Sequence, residues 1–417
     1  EQFSRQGRVY WIAAVFLLVL SFLPGFPWYI LIPLGGMLGY AGFRLSRKKT
    51  LEEERAKYAE AAEGKAEAPA EISPVVPLDP ISLELGYGLI PLVDKEQGAE
   101  LLDRITRIRR ESALELGLVV PRIRIIDNMR LEPSEYCFKI KGIEVGRGTL
   151  KTGYYLAINP GNVEAEIPGE KTKDPAFGLP ALWITENDRE KAEHAGYTVV
   201  DAPSIIATHL TELIKHHASE ILGRQEVQSI LDALRSDYPA VVDEVKKLLG
   251  VGEIQKVLQG LLREQVSVRN MVVILETVAD YAGISKDIGF LVEKARQALG
   301  RQICLQYADD TKLLRVITIN PELEQKIIDS RMETASGVVA ALEPNVHRAW
   351  INALTNTLKG VQDQWEYPVI LCSEAARPLV KSSTAREIPD LVVLSIPEIA
   401  TGIQVESLGE IKLAEQG

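Results

Sequence analysis

Two almost uncharged apolar runs, Val9–Leu23 and Phe26–Phe43, meet at Pro24-Gly25-Phe26-Pro27, and this pairing limits the fold more than any other feature of the chain. Proline and glycine at that junction would break a continuous helix. Read as one helix, the whole run would be roughly 50 Å long, against a bilayer core of about 30 Å. Read as two helices, each is about 22–27 Å, short for a span but adequate with local thinning or snorkelling. Arg5 and Arg8 precede the first run, and Arg44, Arg47, Lys48 and Lys49 follow the second. Positive charge at both ends puts both ends in the cytoplasm, as a hairpin requires. Residues 1-45 are therefore expected to form a transmembrane helical hairpin. A cleaved signal peptide does not fit, because a second span follows and no small-residue cleavage site stands out. A buried soluble helix pair is the other reading, and the uncharged length weighs against it. Gly35, Gly36, Gly39 and Gly42 lie on or near one face of the second span, where small residues let another helix approach closely.

Residues 46-80 read as a charged helix followed by a tether. Glu53 and Lys57 sit four residues apart on the helical part, and Pro69, Pro74, Pro77 and Pro80 punctuate the rest. An extended segment at about 3 Å per residue would hold the remainder on the order of 50 Å from the bilayer.

The remainder is long enough for several cores: 417 residues in all predict about two to four domains. A net charge of −11, with no stretch interleaving basic and aromatic residues, argues against a nucleic-acid partner. Cys137, Cys304 and Cys372 are far apart in apolar settings and form no CxxC or zinc spacing, which fits a reducing cytoplasm. A chain that starts at Glu1 is expected to be a piece of a longer one.

Local patterns divide the soluble part. Leu89–Val93 reads as a strand, Gln97–Leu116 as a helix with Leu101, Leu102, Ile105 and Ile108 on one face, and Arg122–Ile126 as a half-buried strand. Tyr136–Val145 and Gly153–Ile158 read as further strands. Ala181–Thr185, a helix from Asn187 to Ala195, and Tyr197–Val200 form a smaller αβ unit. Pro203 opens a helix capped by Asp201 or Ser204. Ser204–Leu299 is nearly all helical, with amphipathic runs separated by Gly250, Gly252 and Gly283. The end returns to α/β: strands at Ile303–Tyr307, Leu313–Ile319, Val369–Cys372 and Leu391–Ser395, with helices after Pro321 and Pro344 and a short one after Arg377-Pro378.

Few residues carry chemistry. Gly169-Glu170-Lys171-Thr172 looks like the end of a phosphate loop, but Glu170 intervenes between glycine and lysine and would repel the phosphate. His209 and His216 share a helix face about 10 Å apart, too far to hold one metal, so capping, packing or solvated roles fit these histidines and His217. No G-x-S-x-G elbow or Cys–His setting marks a nucleophile. Asp174-Pro175-Ala176-Phe177-Gly178-Leu179 differs, because an aromatic in a loop between strands is either a core plug or an exposed binding anchor oriented by a nearby carboxylate.

Several long motifs occur in a fixed order: Leu85-Gly86-Tyr87-Gly88-Leu89-Ile90-Pro91-Leu92-Val93-Asp94, Asp127-Asn128-Met129, Leu156-Ala157-Ile158-Asn159-Pro160-Gly161, the 169–179 stretch, Ile206-Ala207-Thr208-His209-Leu210, Gly223-Arg224-Gln225-Glu226 and Val268–Glu276. Together they resemble the FHIPEP family of type III secretion export-gate proteins, from the hairpin to about Leu394. The Asp-Pro-Ala-Phe-Gly-Leu wording leans towards the flagellar branch. The resemblance implies an α/β multidomain cytosolic region behind the membrane hairpin. Its parts would be a thioredoxin-like subdomain (81-150 and 202-222), an inserted small α/β subdomain (151-201), a helical subdomain (223-300) and a C-terminal α/β subdomain (301-417).

It further implies a nonameric homo-oligomeric ring at the bacterial cytoplasmic membrane, with the large C-terminal domain in the cytoplasm. Flagellar export chaperones carrying late substrates would dock in a cleft that maps onto Asp174, Phe177, Ile205 and Thr208. Other export-gate membrane proteins and export ATPase complex components would be partners, with no cofactor, metal or catalytic residue. Relatives that clasp the neighbouring subunit use a tryptophan in the tether. Here Val75, Val76 and Leu78 occupy the corresponding stretch and would make a weaker apolar clasp. A virulence export gate, a purely structural ring and a membrane-tethered enzyme are the alternatives.

Overall fold

A computed structural model describes residues 78–94, 100–161, 163–334, 337–362 and 369–413. The chain divides into two units, Glu1–Pro77 and Leu78–Gly417, and all the described residues belong to the second. The expected membrane hairpin, the charged helix, most of the tether, and Val75 and Val76 lie outside them. Among the described residues no helix is long and apolar enough to cross a membrane.

Strand β1 (Ile81–Leu85) is buried on nearly every residue and leads into a 3-10 turn at Tyr87–Leu92. The turn replaces the strand expected at Leu89–Val93. Gly86 and Gly88 press against the 132–135 backbone, where their N–H groups donate to the carbonyls of Glu135 (2.8 Å) and Pro133 (2.9 Å). A Cβ at Gly88 would come within 2.7 Å of the Pro133 carbonyl oxygen, so only glycine permits the approach. Pro91 lies inside the turn, and of the apolar run only Leu89 is fully buried.

Helix α1 (Glu100–Glu115) packs Leu101, Ile105 and Ile108 inward and returns the chain to β2 (Ile123–Asp127), which pairs parallel with β1. β3 (Glu135–Ile140) and β4 (Ile143–Thr149) form a hairpin rather than the single strand expected over Tyr136–Val145. Lys141 and Gly142, both at positive φ, make its turn. The sheet order is β2-β1-β3-β4.

A second four-stranded sheet, in order β6-β7-β5-β8, is antiparallel throughout. It comprises β5 (Tyr155–Ile158), β6 (Glu170–Lys173), β7 (Pro180–Ile184) and β8 (Thr198–Val200), with the short α2 (Arg189–His194) before β8. Its small core is Ala157, Ile184, Ala192, Ala195 and Tyr197. Helix α3 (Ala202–His216) then returns to the first sheet, capped by Asp201, whose Oδ1 accepts the Ser204 N–H at 3.0 Å.

The helical layer runs through α4 (Ala218–Ile221), α5 (Arg224–Arg235), α6 (Pro239–Leu248), α7 (Val251–Arg263), α8 (Met271–Ala282), α9 (Ile288–Ala298) and α10 (Gly300–Tyr307). α7 shows why these are helices: Ile254, Val257, Leu258, Leu261 and Leu262 recur at helical spacing and are all buried. Glu226 and Glu253 accept the N–H groups of Gly223 (3.0 Å) and Gly250 (2.7 Å), closing the starts of α5 and α7. α10 overturns the strand expected at Ile303–Tyr307. Gly300, Ile303 and Cys304 are buried and Tyr307 is half-buried, an i, i+3, i+4, i+7 stripe that begins three residues before the apolar run does.

The last sheet is wholly parallel, in order β13-β12-β9-β14. Its strands are β9 (Leu313–Ile319), β12 (Val369–Cys372), β13 (Val392–Ser395) and β14 (Gln404–Ile411). Between them come α11 (Pro321–Asp329), the hairpin of β10 (Arg331–Thr334) and β11 (Gly337–Ala340), α12 (Pro344–Gln362) and α13 (Arg377–Thr384). One core is continuous from the first sheet through the helical layer to Leu314, Val316 and Leu394, while a separate one fills the C-terminal sheet around Trp350 and Ile370.

A buried ionic cluster joins α7 and α9 to the C-terminal sheet. Arg377 pairs with Glu264 and Glu293, and Arg296 pairs with Glu264 at 3.0 Å and with Glu398 at 2.8 Å. Both guanidinium groups also reach the Val393 carbonyl at 3.3 Å. Burial works against the Glu264 carboxylate, yet the two arginines outweigh it and hold that group below its ordinary pKa.

Candidate docking site

β6 and β7 pair antiparallel up to Lys173 opposite Pro180, and residues 174–179 form the tip of this hairpin. One side chain organises the tip. Asp174 Oδ2 accepts the Phe177 N–H at 2.8 Å, the Asp174 carbonyl accepts the Gly178 N–H at 2.9 Å, and the Asp174 N–H donates to the Leu179 carbonyl at 2.8 Å. Gly178 takes φ +69° with open space around it, so the constraint there is backbone conformation and not crowding. The result pushes Phe177 outwards at 56% exposure, with Leu179 beside it in sequence at 39%, while Asp174 is only 3% exposed. Phe177 is an exposed aromatic and not a core plug.

Between the first sheet and α3 lies a buried aromatic–imidazole pair. Tyr136 on β3 and His209 on α3 approach to 2.9 Å between Oη and Nδ1. Their rings meet edge to face at 5.7 Å, and Phe138 meets His209 likewise at 5.5 Å. β4 makes room for them with Gly146-Arg147-Gly148. A Cβ at Gly146 would stand 3.0 Å from His209 Nε2 and 2.6 Å from Leu213, and one at Gly148 would overlap the Tyr136 hydroxyl. Burial pushes the Tyr136 phenol well above its ordinary pKa, and the negative charge of Asp174 adds to the rise. Burial lowers the pKa of His209, partly offset by Asp174, so the imidazole is neutral at pH 7. Two groups held in their uncharged forms suit a packing role better than proton transfer.

α3 explains how the other expected residues fall. Ile205 and His209 are one helical turn apart and both face inward, Ile205 at 1% exposure in the main core. Thr208, about 100° around the helix from His209, is exposed. Of the four residues expected to line a cleft, Phe177 and Thr208 are exposed, while Asp174 and Ile205 are buried. Leu78 is 67% exposed and leans over Gly142, where a Cβ would lie 3.4 Å from it. Sequence reasoning missed Tyr136, Gly146, Gly148 and Leu179. The glycine pair inside a strand was the readable signal, since it marks close approach by a neighbour.

The remaining candidates have local roles. Glu170-Lys171-Thr172 is edge strand β6. His216 Nδ1 lies 2.9 Å from the Glu212 carbonyl, and His217 Nδ1 lies 2.9 Å from Glu220. Among the described residues no group of three His, Cys, Asp or Glu side chains is clustered to hold a metal.

Compared with known proteins, residues 1–404 match the FHIPEP family. The flagellar biosynthesis protein FlhA of Borreliella burgdorferi is 51% identical over 416 residues, which cover 100% of this chain and 60% of that protein. The chain thus spans about 60% of that relative's length. Among solved structures, the CdsV and CdsO protein complex of Chlamydia pneumoniae aligns at 25% identity and a TM-score of 0.71, over 83% of this chain and 100% of that one. The nonameric EscV cytosolic domain from the type III secretion system aligns at 25% identity and a TM-score of 0.64, over 82% of this chain and 98% of that one.

Proposed function

The chain belongs to the FHIPEP family, and on that premise we propose that it is a membrane-anchored component of the flagellar type III export gate whose cytosolic part forms a ring and docks export chaperone–substrate complexes. The observation that carries the docking role is Phe177, held out at a hairpin tip by a buried carboxylate. An exposed aromatic on a pre-organised loop loses little freedom when it enters a partner's apolar groove. The role is docking and not bond chemistry.

Several finer assignments belong to the same reading. The first sheet's order β2-β1-β3-β4, with a β1-α1-β2 crossover, supports a thioredoxin-like subdomain at 81-150 and 202-222. The antiparallel sheet between its two parts supports the insertion at 151-201. The nonameric EscV domain supports a nine-membered ring, and the CdsV–CdsO complex supports a further secretion-system partner. The apolar hairpin at 1-45 would anchor the protein in the cytoplasmic membrane, and Leu78, with Val75 and Val76, would touch the neighbouring subunit.

The test is calorimetric titration of the protein with a flagellar chaperone–substrate complex, beside Phe177→Ala and Thr208→Ala. Loss of at least roughly tenfold in affinity for Phe177→Ala, with unfolding unchanged, is expected. A wild-type protein that forms rings and ignores the complex would leave a purely structural role instead.

A further inference from the structure

We propose that the cleft between the β3–β4 turn, the end of α3 and the last turn of α7 receives an extended acidic segment of a partner protein, seated by one apolar side chain. The site uses other elements than the hairpin tip and does not rest on the docking role of Phe177.

The cleft has a volume of about 550 Å³, with Ile140, Lys141 and Ile143 on one side and His216, Glu220 and Arg263 on the other. Its apolar part continues the core. Ile140 and Ile143 stand opposite each other across the hairpin, and opposite residues share a face. α3 covers that face at Gly146, where His209 and Leu213 lie, and ends at His216. Ile140 is 4% exposed, whereas Ile143, its partner across the hairpin, is 71% exposed. The walls are tied together: the Gln259 amide donates to the carbonyls of Ser219 (2.9 Å) and Leu222 (3.0 Å), and Lys141 Nζ donates to the Glu220 carbonyl at 2.6 Å. Lys141 holds φ +50°, a turn conformation that asparagine or glycine adopts more easily.

The charges select the occupant. Glu220 Oε1 lies 2.9 Å from His217 Nδ1, and Asp390 Oδ1 lies 3.9 Å from His216 Nε2. Among the described residues Lys141 meets a carbonyl and no carboxylate, and Arg263 is exposed with no hydrogen bond or ion pair. Each acid at the rim therefore faces an imidazole, while neither permanent cation faces an acid. In a chain of net charge −11, two unneutralised cations beside an open isoleucine suit a segment that carries carboxylates next to an aliphatic or aromatic side chain. An extended segment fits because β4, which begins at Ile143, is the edge strand of its sheet.

The experiment selects a random dodecapeptide library, displayed on phage, on the full chain in detergent, and titrates the enriched peptides by fluorescence anisotropy. The expected consensus places aspartate or glutamate within about three positions of an apolar residue. Affinity is expected to fall roughly fivefold or more in Arg263→Glu and roughly threefold or more in Ile143→Ser, and to weaken with added salt. Both positions are exposed, so both variants should melt as wild type does; Arg263→Gln replaces Arg263→Glu if the charge reversal unfolds the protein. No enrichment, a consensus without acids, or affinity unchanged in a folded Arg263 variant overturns the proposal. A peptide lost in Phe177→Ala instead reports the hairpin tip and overturns it too. Sedimentation tests a second copy of this chain as the occupant: an assembly that dissociates in Arg263→Glu, with no peptide dependent on that residue, assigns the cleft to that contact and overturns the proposal. Failure of the chaperone–substrate titration at Phe177 would leave this result standing.

Discussion

Asp174 and Phe177 divide the labour of one site between a buried and an exposed residue. Because Asp174 is buried and its acceptor serves the Phe177 N–H, Asp174→Ala removes a charge-assisted hydrogen bond and is expected to cost about 1.5–3 kcal/mol, read as a lower urea midpoint. Phe177→Ala touches no core and should stay within roughly 0.5 kcal/mol of wild type. Both variants are expected to weaken the proposed docking, for different reasons, and denaturation separates them. Gly148→Ala drives a methyl into the Tyr136 hydroxyl and should cost about 1–3 kcal/mol by overpacking. His209 adds a pH dependence of known sign. Its folded pKa lies below the unfolded one, so its contribution is complete above about 6.5 and is lost as pH falls through the lowered value.

Elements differ in how plainly their residues announce them. α3 was legible because Asp201, Pro203 and the inward stripe of Ile205, Ile206, His209, Leu210 and Ile214 all agree. Removing its cap with Asp201→Ala should cost about 1 kcal/mol by thermal melting. β6 was invisible because Glu-Lys-Thr-Lys has no apolar residue, and its extension comes from pairing with β7. The turn at Tyr87–Leu92 misled for the opposite reason: an apolar run resembles a strand until the contact of Gly86 and Gly88 with a distant backbone is known. α10 was misread because its stripe begins at Gly300, which offers no side chain to count. The candidate site was half legible in the same sense. The loop and its aromatic stand out in the sequence, but the outward direction of Phe177 and the inward turn of Asp174 depend on Gly178 and on the pairing of two strands.

At the scale of the whole molecule, the ionic cluster ties the helical layer to the C-terminal sheet with charges where apolar contact would have been simpler. Arg377 is its hub, fully buried against Glu264 and Glu293. Arg377→Ala would strand those carboxylates and is expected to destabilise by about 3–5 kcal/mol, with hydrogen exchange rising first in β12 and β13. A change confined to the exposed ends of α5 and α6 would refute the assignment. The C-terminal sheet adds a constraint of another kind. β9 is an interior strand whose partner on one side, β14, pairs Gln404 with Leu313 across nearly the whole C-terminal region. During synthesis β9 emerges first and must wait, with an apolar edge open, until β14 has left the ribosome. The order of translation thus closes this sheet after the helical layer that precedes it, and leaves β9 in need of protection until then.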